Sequence, residues 1–258
     1  DLIESGIKNE IDPEFIGYIN KKAKEITQID DVYFEDKKAT KRFGFDHIQT
    51  AYCNQLEGAI NTGMLLQEMH KRTIEANIQV LFGVEALSMS SNAQGVILQT
   101  NKGPIETSNC IIATNGFAKQ WIEDDINPAR AQIIVTNEIK NLKVKGTFHF
   151  QKGYYYFRNI GNRILLGGGR NLDFKGETTE SFETTPKIQK KLEELLRFTI
   201  IPNQEFSIDY AWSGIMGVGD VKSPILKMLN KNTAVGVRLG GMGVALGSQV
   251  GKSLANYF

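Results

Sequence analysis

The chain has 258 residues, enough for two ordinary domains or one large α/β unit. Hydrophobic residues make up 41% and charged residues 23%, the balance of a soluble globular protein with a substantial core. Thirty basic against twenty-nine acidic side chains leave a formal charge of +1, which excludes a large global basic field for nucleic acid or anionic membrane.

Residues 1–30 read as helical. Leu2, Ile3 and Ile7 recur at helical spacing, and Asp12-Pro13-Glu14 opens a second segment with an N-cap and a proline at the first helical position. Phe15, Ile16, Ile19, Ala23 and Ile26 continue it along one face. Asp31 to Glu35 and Phe43 to Tyr52 look like strands. Residues 61–77 predict an amphipathic helix, capped by Asn61 or Thr62, with Gln79 to Gly83 as the strand after it. Ala86–Met89 and Gly95–Thr100 predict strands around a polar turn, and Asn101 to Gly103 a second turn. Cys110 to Gly116 is a short apolar strand entering a glycine turn, the pattern of a buried strand in a layered α/β sheet. Strands recur from 129 to 171, where Gly153–Arg158 and Arg163–Gly169 flank the turn Asn159–Asn162 as a hairpin. A helix over 184–198 turns Leu192, Leu195 and Leu196 inward. Ser207–Trp212 reads as a strand, Val221–Leu226 as a loop, Ala234–Arg238 as a strand and 243–258 as a final helix.

Several familiar chemistries are missing. No stretch approaches the roughly 18 apolar residues of a membrane span. Asp1-Leu2-Ile3-Glu4 is not the basic-then-apolar start of a signal peptide, and a cytoplasmic protein is expected. Cys53 and Cys110 are too few for a disulfide framework, and His47, His70 and His149 are scattered without ligand spacing, so no metal is expected. Gly251-Lys252-Ser253 imitates the end of a phosphate-binding loop, but Leu246 stands where the motif needs glycine. There is no Gly-x-Ser-x-Gly elbow.

The segment from Tyr210 onward says most. Strand, glycine pair and helix follow one another through Ala234-Val-Gly-Val-Arg-Leu-Gly-Gly-Met-Gly243, and Gly243, Gly247, Gly251 and Ala255 then recur every fourth residue. Three helical glycines cost about 1 kcal/mol each against alanine. A face kept that smooth fits either tight helix–sheet packing or the approach of a flat cofactor to free backbone N–H groups.

Taken in order, Glu57–Asn61, Ile112–Phe117, Pro128–Gln132, Gly153–Arg158, Gly167–Arg170, Trp212–Gly214 and Arg238–Gly243 resemble the FAD-dependent oxidoreductases of the D-amino-acid oxidase, glycine oxidase and sarcosine oxidase superfamily. The likeness is greatest to the γ-glutamylputrescine-oxidase-like branch. It implies a fold between α+β and α/β: a partial FAD-binding Rossmann-like layer (53–117 and 212–258) interleaved with an antiparallel-sheet substrate domain (1–52 and 118–211). Family members open with Gly-x-Gly-x-x-Gly, and none occurs here. By resemblance, on the order of 100 residues are absent, and the chain alone is expected to be inactive and not to retain FAD tightly.

The resemblance also implies roles. Ala86 matches an adenine-contacting position, Ala113, Thr114 and Asn115 the turn beside the dinucleotide, and Gly240, Gly241, Met242 and Gly243 a helix N-terminus facing the flavin pyrimidine. The reaction it implies is hydride transfer from an amine or amino acid to FAD, with the chemistry residing in the cofactor and no acid–base pair in evidence. Tyr154 and Tyr156 alternate onto one face of their strand with Arg158. They either line a substrate pocket or pack as ordinary strand residues, and Arg158 meets a substrate carboxylate or solvent. Amino-acid oxidases of the superfamily place a carboxylate-gripping arginine two residues after the Trp-x-Gly glycine. Met216 stands there, leaving Arg158 or Arg238 as substitutes. Two other readings stay open: a non-catalytic ligand- or protein-binding domain, and a dehydrogenase that passes electrons to a quinone or protein.

Overall fold

Local chemistry sets most of the elements in the computed structural model, which describes residues 1–5 and 12–258. In chain order they are β1 (Leu2–Glu4), α1 (Pro13–Thr27), β2 (Tyr33–Asp36), α2 (Ala39–Phe43), β3 (Ile48–Asn54) and α3 (Thr62–Glu75). Then come β4 (Ala86–Ser91), β5 (Val96–Thr100), β6 (Gly103–Thr107), β7 (Cys110–Ile112), β8 (Asn127–Thr136), β9 (Thr147–Phe150), β10 (Tyr155–Ile160) and β11 (Arg163–Gly168). The last are α4 (Pro186–Leu195), β12 (Ile208–Val218), β13 (Ile225–Asn230), β14 (Thr233–Val237) and α5 (Gly243–Ala255). This is the mixed α/β class read from the sequence. Among the described residues no helix is long and apolar enough to cross a membrane.

The caps act as read. Asp12 accepts from Glu14 N–H at 2.9 Å ahead of Pro13, and Asn61 from Met64 N–H at 3.1 Å. The β10–β11 hairpin pairs Tyr155 with Gly168 through to Ile160 with Arg163.

Four readings need correction. Leu2 and Ile3 are not helical: they form β1, pairing with Ala51 and Thr50, while Ile7 lies outside the described residues. Phe43 ends one helical turn, closed by Gly44 at φ +79°, before β3 begins. Gln79–Gly83 is not a strand, since no strand among the described residues pairs with it and a lone strand leaves its N–H and C=O groups to water. The segment read as a loop up to Leu226 already enters β13, which pairs with β14.

The chain divides into two compact units. The first holds residues 1–59, 130–177 and 181–214. Its sheet runs β12-β8-β11-β10-β9-β1-β3-β2, with β1 parallel to β9 and antiparallel to β3. Phe150 and Tyr155 stack at 5.1 Å and Phe148 and Phe157 at 4.8 Å, over a core that α4 completes with Ile188, Leu192 and Leu195. Beside it, Arg130 and Glu177 form a buried ion pair at 2.7 Å, and Gln132 donates to the same carboxylate at 2.9 Å. The second unit holds 60–129, 178–180 and 215–258. It has two three-stranded sheets, β13-β14-β7 with β14 parallel to β7, and the antiparallel β4-β5-β6.

Candidate functional site

In the second unit, three chain segments meet at the end of the β7–β14 pair. β7 runs through the exposed Ala113 and Thr114 to Asn115, held at φ +45°. The Asn115 side-chain oxygen accepts from Leu239 N–H at 3.1 Å. Gly116 lies against the backbone of the 215–216 segment: a Cβ there would come 2.9 Å from the Ile215 carbonyl oxygen. At Gly217 a Cβ would meet Asn115 Oδ1 at 2.8 Å, and the Gly217 carbonyl accepts from Gly240 N–H at 3.0 Å. Both glycines are thus fixed by close backbone approach.

Past this junction Gly240 and Gly241 take left-handed φ values of +55° and +83° and deliver the chain to α5. Met242 has no side-chain cap for the helix, and its carbonyl accepts from Ala245 and Leu246. The N–H groups of Gly241, Gly243 and Val244 have no hydrogen-bond acceptor among the described residues. They point from the positive end of the helix dipole. Met216 Sδ lies 3.5 Å from where a Gly241 Cβ would stand.

The glycine spacing of α5 has an answer too. The close contact with the sheet is made by Gly236 of β14, where a Cβ would meet Leu254 Cδ1 at 2.5 Å and Val250 Cγ1 at 3.0 Å. Gly247 and Gly251 have nothing within 4 Å. Tight helix–sheet packing therefore explains the strand glycine and leaves two helix glycines unexplained.

Sequence reasoning left Arg238 as a possible carboxylate grip. It is already engaged: its guanidinium donates to the Asp125 carbonyl at 2.8 Å, to the Asp125 carboxylate at 3.2 Å and to the Ser223 carbonyl at 3.0 Å. Ala86 opens β4 on the other sheet, and no described strand pairing or hydrogen bond joins it to residues 113–115 or 239–243.

In the first unit, Tyr155 and Phe157 point into the core, which puts Tyr156 and Arg158 on the opposite face of β10. The Tyr156 ring covers Gly167, where a Cβ would sit 2.6 Å from it, and burial raises the Tyr156 phenol above its ordinary pKa. Arg158 Nε donates to the Asn159 carbonyl at 3.4 Å. Tyr154 stands in the turn before β10, its ring edge-on to Phe174 with centroids 6.0 Å apart. Arg170, to which no sequence motif gave a role, has its guanidinium 5.1 Å from the centre of the same Phe174 ring.

The family model described as FAD dependent oxidoreductase (DAO) matches residues 16–257. The chain belongs to this DAO family. Among solved structures, L-proline dehydrogenase from P. horikoshii superposes with a TM-score of 0.74 at 18% identity, over 95% of this chain and 69% of that one. Glycine oxidase from Bacillus cereus ATCC 14579 gives 0.75 at 13% identity, over 99% and 72%. Iminodiacetate oxidase from Chelativorans sp. BNC1 gives 0.69 at 17%, over 96% and 69%. These structures share the DAO fold with this chain. No curated protein sequence matches it.

The donor set in this DAO chain suits a flavin. Three unsatisfied N–H groups at a helix N-terminus, beside two left-handed glycines with no side chains, accept an anionic or carbonyl-bearing edge without displacing protein atoms.

Proposed function

We propose that this chain contributes the substrate-binding sheet and the C-terminal flavin-facing helix of an oxidoreductase that oxidises an amine or amino acid by hydride transfer to FAD. The reading is carried by the N–H groups of Gly241, Gly243 and Val244, open at the start of α5 in a DAO-family chain. FAD, when bound, supplies the two-electron oxidant. The protein's share is electrostatic and positional. Within the turn of Gly240, Gly241, Met242 and Gly243, the N–H groups of Gly241 and Gly243, with that of Val244, offer donors to negative charge that builds as the flavin is reduced, and the α5 dipole adds to them, while Gly240 and Met242 spend theirs on the Gly217 and Leu239 carbonyls and so shape the turn. Ala113, Thr114 and Asn115 border the dinucleotide, with Asn115 fixing the loop by its bond to Leu239. Ala86 is assigned to the adenine end.

Tyr154, Tyr156 and Arg158 of the first unit are assigned to the substrate side, and so is Met216 of the second, an apolar side chain. The three solved relatives are named for proline, glycine and iminodiacetate, each an amine carrying a carboxylate. Within the family we place the chain near the γ-glutamylputrescine-oxidase-like branch, on the order and spacing of the seven segments from Glu57–Asn61 to Arg238–Gly243. These 258 residues contain no Gly-x-Gly-x-x-Gly to hold the FAD pyrophosphate, so weak flavin binding by the chain alone is expected.

The test is the visible spectrum after mixing with FAD and desalting, for this chain and for the product of its entire reading frame. Flavin bands that stay with the latter, and bleach anaerobically with an amine or amino acid, support the assignment. If flavin stays with neither, the oxidoreductase reading falls and the binding-domain reading replaces it.

A further inference from the structure

The arginines of the first unit differ in what they hold. Arg130 is bound to Glu177, and Arg163 to Asp209 and the Thr136 carbonyl. Arg170 donates to no acceptor among the described residues, and its Nε is fully buried. The neighbouring Asn171 Oδ1 is likewise buried without a donor. Consecutive residues thus leave one buried donor and one buried acceptor unsatisfied, an arrangement that native structures avoid unless a ligand or water completes it.

The backbone places this pair deliberately. Gly168 and Gly169, at φ +123° and +82°, turn the chain off the end of β11, and Gly169 N–H donates to the Tyr154 carbonyl at 3.0 Å. Arg170 therefore emerges beside Tyr154, and both side chains use Phe174, one edge-on and one over the ring. A guanidinium seated over a ring keeps its in-plane donors available, and that planar fork fits a carboxylate with two parallel bonds. The protein carboxylate that acts on Arg170, Glu177, has both oxygens taken by Arg130 and Gln132. Burial pulls the Arg170 guanidinium below its ordinary pKa, as expected for a cation still lacking its counter-ion.

We infer that Arg170 is a specificity-determining residue: it binds the carboxylate of the substrate, and Asn171 Oδ1 accepts an N–H from the same molecule. This deepens the amine-oxidising reading and rests on it for the word substrate. Among the described residues the donors of Arg170 are uncommitted, whereas those of Arg238 in the second unit are spent on Asp125 and Ser223.

The test needs no flavin. The arginine Nε–H resonances of the nitrogen-15-labelled chain are followed by NMR during titration with L-proline and, separately, with pyrrolidine, which lacks only the carboxylate. The Arg170 signal is identified by its loss in Arg170→Met. The expected result is a saturable shift with proline and none with pyrrolidine, at least tenfold weaker proline binding in R170M, and partial recovery in Arg170→Lys, which keeps the charge but not the fork. Arg197→Met, at an exposed arginine over Phe206, is the control and binds proline as the parent does. Unchanged proline binding in R170M and R170K overturns the inference. So do equal shifts with both probes, and so does the absence of any shift. Flavin reduction by amines with no role for Arg170 would retire this inference alone. A carboxylate response at Arg170 with no flavin uptake would retire the oxidoreductase reading and leave the carboxylate site standing.

Discussion

Helices α4 and α3 look alike in sequence, each an apolar stripe on a charged helix, yet they end in opposite states. On α4, Ile188, Leu192 and Leu195 are buried in the core of the first unit. On α3 no residue is buried: Met64, Leu66, Met69 and Ile74 are all exposed, and the apolar run behind it is open through to Phe82, which is 78% exposed. The difference is in what each unit offers as a partner. α4 meets β11 of a broad sheet, whereas residues 78–82 pair with no strand among those described. Periodicity specifies that a face exists, and tertiary structure decides whether it is covered.

The strongest way to break the well-packed side of this comparison is Glu177→Ala. It leaves Arg130 buried without its partner and should destabilise the first unit by about 3–5 kcal/mol, read as a lower urea midpoint. Leu192→Ala comes next, at about 2–5 kcal/mol for a fully buried leucine. Leu66→Ala, the same deletion on α3, should stay within about 0.5 kcal/mol. An equal cost at both positions would mean that α3 is covered in solution. Asn61→Ala removes the α3 cap and should cost about 0.5–2 kcal/mol, seen as faster amide exchange across Thr62–Glu75.

The smallest effect is electrostatic. Partial burial holds His149 below its ordinary value of 6.5, helped by the ammonium group at Asp1 and opposed by Glu57. The unfolded chain thus binds the proton more readily, so this contribution is complete above pH 6.5 and is lost as pH falls toward the lowered folded value. The side chain is 58% exposed, so the loss is small. His149→Gln should flatten the acid side of a plot of melting temperature against pH, with little change above neutrality.

What could be read in advance follows the reach of each interaction. Asp12-Pro13 and Asn61 announce their helices because a cap acts within three residues, and the β10–β11 hairpin announces itself through its turn. β1 and the unpaired run at 78–82 depart from the local pattern because strands are decided by partners elsewhere, whereas β13 pairs with β14, the strand that follows it directly. The site divides in the same way. The glycine spacing of 240–243 was visible, but its free N–H groups were not. That Arg238 is consumed by Asp125, 113 residues earlier, has no local signature. Nor has the isolation of Arg170, since a missing acceptor is a property of the folded surroundings.

One small element bears on how the protein can be handled. β1 is three residues long, yet it lies inside the eight-stranded sheet, with β9 on one side and β3 on the other. It is the seam between a five-stranded ribbon and a two-stranded one. Breaking β1 itself, for instance with Ile3→Pro, would therefore open the sheet from within, as drawing a thread from the middle of a cloth parts both halves at once.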